Sequence, residues 1–224
     1  MTGATSTSGE SAHERLLEEL TSGALGPGAP VLETAVAARF GLGRAPVREA
    51  ILRLEADGLI VRGPRGPVVR TLTPGEVVDI YQARIALEAE AAASAARHRS
   101  SLDLARLQHI HDQSRAATDP DEARRLHGRW HAVLRRSCRN DTITEMLEQL
   151  ARRLALHDTG DMTRSANLES TDDEHQVVLD AIVAGDEDTA RRTLREHLER
   201  TRDVRIAALV TDEGAESGSG TAAS

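Results

Sequence analysis

The chain has 224 residues, 39% of them hydrophobic and 1% aromatic, and a formal net charge of −8. That length suffices for a small domain plus a medium one, and a core of Leu, Val, Ile and Ala favours helices over sheet. No apolar run is long enough to span a bilayer, and the single cysteine, Cys138, excludes an internal disulfide.

Residues 1–10 (MTGATSTSGE) have neither the basic start nor the apolar stretch of a signal peptide, so a cytoplasmic protein is expected. This segment and residues 211–224 are rich in Gly, Ser and Thr and read as disordered tails. A first helix is expected over 12–22, with Leu16, Leu17 and Leu20 on one side, followed by the loop GALGPGAP. A short helix follows at 33–40, then a turn with Gly41 and Gly43, then a helix from 44 to 57. Two β-type runs, 59–61 and 68–71, flank RGPRGP, whose glycines and prolines enforce a turn. Helix, helix, helix and hairpin make residues 11–72 a winged helix-turn-helix.

LTPGE then opens a region of unbroken helical periodicity. Thr73 is placed as an N-cap, Pro74 at the first helical position and Glu76 at capping-box spacing. Six helices are expected, at 74–98, 101–117, 120–138, 141–158, 170–184 and 186–209. Residues 73–210 are therefore an antiparallel helical bundle. The fold class is mainly α.

Charge is unevenly spread. Residues 33–70 hold seven arginines against four acidic residues, so a basic module sits on an acidic body. All 28 basic residues are arginine, which coding bias in a GC-rich genome explains without function. Within the module, Ala37 suits a close helix crossing and Gly41 supplies the positive φ of a tight turn. Val47, Ile51 and Leu54 form the inner face of the second helix. Its leading end carries Arg44 and Arg48, at i and i+4, on the opposite face, where an arginine can reach guanine O6 and N7. The plain alternative is an arginine pair that only solvates a helix. At the hairpin tip, Arg65 can approach a minor groove or phosphate, and Gly66 lets the backbone come close.

The segment PGAPVLETAVAARFGLGRAPVREAILRLEADGLIVRGPRGPVVR resembles the DNA-binding domain of the GntR family of bacterial regulators, with its PG-x-x-L-x-E, PVREA and GLV wording. The resemblance implies recognition-helix contacts from Arg44 and Arg48, and wing contacts from Arg65 and Gly66. Two departures stand out. Gly43 replaces a usual Ser or Thr, and Thr34 stands where some members carry a contacting Arg, which narrows base readout.

The second region carries most of the histidines. His127 and His131, four apart on a helix, share a face about 6 Å apart. His175 and His197 flank the turn at Gly185 and Asp186 at nearly equal distances, roughly 15 Å each at 1.5 Å per residue. An antiparallel pair brings them level. Four imidazoles can thus converge and suit Zn²⁺ or Ni²⁺, or they are four unrelated histidines. YQARIALEAEAAASAA, WHAVL and HQVVLDAIVAGDEDTARRTLREHL resemble the helical effector (FCD) domain of the FadR-type branch, in its smaller VanR-like form. Many members of that branch hold a metal with an Asp or Asn and three His, and His131, His175 and His197 fall on the three His positions. His127 occupies the Asp/Asn position, which favours Zn²⁺ or Ni²⁺ over Mn²⁺, or it turns away and leaves three ligands. Arg84 and Glu88 match a family pair beside the cavity for a small carboxylate; otherwise they are an ordinary i,i+4 ion pair. His109, His111 and His157 read as surface residues, Cys138 and Trp130 as core.

The resemblance implies a homodimeric repressor of a double-stranded DNA operator, not an enzyme, with a divalent metal and a small carboxylic acid as effector. Two rivals remain. One is a repressor for which the ion itself is the signal. The other is a metal-dependent hydrolase, for which Asp172, Asp173 or Glu174 would have to supply a base.

Overall fold

A computed structural model describes residues 3–156 and 165–218; His157 lies outside them. Among the described residues there are nine helices and one hairpin, in the order α1 (Gly3–Thr21), α2 (Glu33–Phe40), α3 (Arg44–Ala56), β1 (Ile60–Gly63), β2 (Gly66–Val69), α4 (Pro74–His98), α5 (Ser101–Ala116), α6 (Pro120–Ser137), α7 (Asp141–Ala155), α8 (Ser165–Ala184) and α9 (Glu187–Gly218). The chain divides into two compact units, Met1–Leu72 with Ala151–His157, and Thr73–Leu150 with Asp158–Ser224.

The first unit is built on leucine and valine spacing. Ala12, Leu16 and Leu20 of α1 meet Val36, Ala37 and Phe40 of α2 and the Val47, Ala50, Ile51, Leu54 stripe of α3 in one buried cluster, which Leu156 also joins. α2 stops because Gly41 takes a left-handed conformation (φ 66°), which lets the Leu42 amide reach back to the Ala37 carbonyl at 3.0 Å. The chain re-enters helix three residues later. The wing is tighter than the sequence suggests: strand pairing continues to Gly63 opposite Gly66, so only Pro64 and Arg65 form the loop. Gly66, at φ 121°, permits that reversal without a Cβ penalty.

The second unit is a helical bundle in which α4 packs mainly on α9, α5 on α6, and α8 on both α9 and α5. Thr73 and Glu76 form the reciprocal capping box that starts α4. Farther along α4, Ala89, Ala91, Ala92, Ala93, Ala95 and Ala96 are all buried, and their small side chains permit close helix approach. Three helices run farther than expected: α1 begins at Gly3, α8 begins at Ser165 and α9 extends to Gly218, the first and last entering the segments read as tails. Once a packed nucleus exists, each added residue gains a hydrogen bond at low cost, so helix can propagate into weakly patterned sequence. His111, read as a surface residue, is instead 1% exposed, because its face of α5 is covered by α8.

Candidate functional site

The first candidate site lies on α3. With Val47, Ala50, Ile51 and Leu54 turned inward, Arg44 and Arg48 are left on the exposed face at the leading end of the helix. Gly43 is the N-cap and has no side chain to accept from the first turn of the helix. Arg65 is exposed at the hairpin tip and Thr34 is exposed in the first turn of α2. The sequence reading overlooked Glu33. Arg48 Nε and Nη2 donate to its Oε1 and Oε2 at 2.9 and 3.0 Å, while Arg44 Nη2 lies 3.6 Å from Oε2. The signal was present, since Glu33 fills the acidic position of the L-x-E wording and sits in the first turn of its helix.

The second candidate site is the centre of the bundle. Among the described residues, His131 of α6, His175 of α8 and His197 of α9 form one group of converging ring nitrogens, all buried. Carboxylates fix two of their tautomers. His131 Nδ1 lies 2.9 Å from Glu88 Oε2 and His197 Nδ1 2.6 Å from Glu174 Oε2. A carboxylate only accepts, so the ring protons sit on Nδ1 and both Nε2 atoms carry lone pairs. Those two lone-pair nitrogens are 3.2 Å apart, and His175 Nε2 is 3.3 Å from His131 Nε2. A proton on His175 can satisfy one of the two at most. Ligand nitrogens on a tetrahedral ion with bonds of about 2.0–2.1 Å are about 3.3–3.4 Å apart. Two of the three pairs have that spacing, and all three ring nitrogens lie within 4.8 Å of one another, so three neutral donors, two backed by carboxylates, could be drawn onto a divalent ion of the Zn²⁺ or Ni²⁺ kind.

His127 is not brought into this group. Its Nε2 is 2.8 Å from Asp172 Oδ1, which also accepts from Ser114 Oγ at 2.8 Å. Its ring stands edge-on to His175, with centroids 5.2 Å apart. Trp130, expected only in the core, is buried but stacks on the His175 ring at 3.9 Å, placing the chain's single tryptophan against the cluster.

Glu88, fully buried, ties the cluster to Arg84. Its Oε1 accepts from Arg84 Nε at 2.8 Å and Arg135 Nη2 at 3.0 Å, and its Oε2 faces His131. Arg84 is therefore a buried member of a network, not a surface i,i+4 pair. Arg84, Tyr81, His127, His131, His197 and Arg205 are among the residues lining a cavity of about 180 Å³. Burial works to raise the Glu88 pKa, but the charges of Arg84 and Arg135 outweigh it and hold the group well below the ordinary value. Burial lowers all three imidazoles: His131 to about 3, His175 well below its usual value, and His197 in the same direction despite Glu174. The cluster is accordingly neutral at physiological pH and able to donate lone pairs. Asp172 and Glu174 are committed to imidazoles, which leaves neither as a free general base.

Two family descriptions match the chain. Residues 9–69 match the bacterial regulatory proteins of the gntR family, and residues 79–200 match the FCD domain. Similar proteins include an uncharacterised HTH-type transcriptional regulator, YdhC, of Bacillus subtilis, 27% identical over 91% of this chain and 92% of that one. The HTH-type transcriptional repressor RspR of Escherichia coli is 26% identical over 78% of each chain. The solved structure of McbR/YncC from E. coli superposes with a TM-score of 0.77 at 25% identity, covering 92% of this chain and 98% of that one. The gntR description and the named relatives are of transcriptional regulators, not enzymes.

Proposed function

The chain belongs to the GntR family of transcriptional regulators and carries its FCD effector domain, and from that premise we propose a homodimeric repressor released or engaged by a small carboxylic acid. In this reading Arg44 and Arg48 read base edges in the major groove, and Arg65 with Gly66 fits the wing to the backbone or minor groove. Thr34, with no formal charge and a short reach, adds little to base readout. Two copies place two readers on the half-sites of a pseudo-palindromic operator. The similarity to RspR, a protein named as a repressor, supports the direction of control.

The observation that carries the effector half is the convergence of three imidazole nitrogens beside an arginine-lined cavity. His131, His175 and His197 would hold a divalent ion, with His127 and Asp172 bordering it. When bound, the ion supplies a Lewis-acidic position for a carboxylate oxygen. The chain's own groups do the rest. Glu88 and Glu174 keep the imidazole lone pairs aimed inward, and Glu88 holds the Arg84 guanidinium at the cavity wall with donors to spare. A cavity of about 180 Å³ limits the guest to a small molecule. Such a guest alters DNA binding only by favouring one of two dimer geometries.

The DNA half is tested with operators selected from a randomised duplex pool. Arg48→Ala is expected to weaken operator binding about ten- to a hundredfold and to blur preference at one base pair per half-site. Unchanged affinity and preference would remove Arg48 from the reading head. A thermal-shift screen of small carboxylic acids, repeated on Arg84→Ala, then tests the effector half: stabilisation by an acid should be lost in the variant.

A further inference from the structure

We propose that Glu33 is a specificity-determining residue that buttresses Arg48, holding one edge of its guanidinium so that the other is presented to a base. A guanidinium has two edges with paired donors: a side edge made by Nε and one Nη, and an end edge made by the two Nη atoms. Glu33 takes the side edge completely, with contacts of 2.9 and 3.0 Å. The end edge, with one Nη1 proton and the outer Nη2 proton, has no partner among the described residues, and its two parallel donors match the two acceptors of guanine.

The placement is built by the fold. Glu33 stands in the first turn of α2 and Arg48 in the second turn of α3, and the Gly41–Gly43 turn brings them together across fifteen residues of sequence. Arg48 remains exposed, with 58% of its side chain accessible, so an ordinary arginine there would sample many rotamers. A bidentate partner removes that freedom before DNA arrives and so reduces the ordering cost of binding. The carboxylate acts a second way. It cancels one positive charge at a surface facing phosphates, which lowers sequence-independent attraction. Glu33 therefore raises specific binding and lowers non-specific binding, and the ratio between them feels both.

The inference rests on Arg48 being a base reader. Binding-site selection from a randomised duplex pool, followed by affinity measurements on selected and scrambled duplexes, is carried out for the parent, Glu33→Gln, Arg48→Ala and the double variant, each checked for an unchanged thermal melt. Glu33→Gln is expected to lower the ratio of specific to non-specific affinity about tenfold and steepen the salt dependence of non-specific binding. Preference should blur at the same base pair that Arg48→Ala blurs, with no further loss in the double variant. Glu33→Gln that strengthens both duplexes equally, with base preference intact, overturns the buttress while leaving Arg48 a reader. Arg48→Ala with intact preference overturns the reading head itself, and the buttress with it.

Discussion

Acidification of the metal-free protein should unfold the bundle near pH 5, far above the point where its carboxylates alone would fail. His131, His175 and His197 are buried and neutral, with folded-state pKa values below the ordinary 6.5, His131 at about 3. A histidine whose folded pKa is depressed contributes full stability above its unfolded pKa and loses it as pH falls, because only the unfolded state takes up the proton. Each such group costs about 1.4 kcal/mol per pH unit below 6.5. His131 and His175 together cost about 3 kcal/mol per unit, and His197 adds in the same direction, against a total of about 5–15 kcal/mol for a typical domain. Below about pH 4.5, protonation of Glu88 and of Glu174, held near 2 by His197 and Arg200 against its burial, works in the same direction. Urea denaturation of chelated protein at pH 7.5, 6.5 and 5.5 checks this. Stability that stays flat across that range would mean the three rings are not buried as neutral bases.

The second large effect concerns Glu88. Its carboxylate is 0% exposed and is shared by Arg84, Arg135 and His131. Glu88→Ala removes the anion and leaves two buried guanidinium groups uncompensated, at a cost of about 3–5 kcal/mol. The same change frees the His131 tautomer, so its ring no longer aims a lone pair at the cluster. The melting temperature of Glu88→Ala should fall well below the parent's, whereas Arg97→Ala, which breaks an exposed pair with Glu187, should leave it nearly unmoved. Equal, small losses in both variants would show that the Glu88 network is wetter than its burial implies.

Much of this architecture can be read from spacing because local signals agree. Gly41 marks a turn, Thr73–Pro74–Glu76 marks a helix start, and the 3.6-residue rhythm of Val47, Ile51 and Leu54 decides which way the arginines face. The antiparallel turn at Gly185 and Asp186 makes His175 and His197 level, as helix geometry requires. What spacing does not carry is the partner of a polar side chain. Glu33 on Arg48, Glu88 on His131 and Asp172 on His127 each join residues at least fifteen positions apart, and no periodicity encodes which of several carboxylates arrives. For the same reason the direction of His127 is settled by Asp172, a residue whose sequence neighbourhood is merely acidic. The wing strands and the ends of α1 and α9 differ by residues whose local preference is weak and whose state is set by what they extend from.

We infer that His131, His175 and His197 together hold one divalent ion. Zn²⁺ titrated into chelated protein at neutral pH, followed by the fluorescence of Trp130 and by ion content after gel filtration, tests it most directly. One ion per chain with a saturable change in Trp130 emission, both lost in His131→Ala, is the predicted result. An unchanged emission and no retained ion in the parent, or the same ion content in His131→Ala, would contradict it.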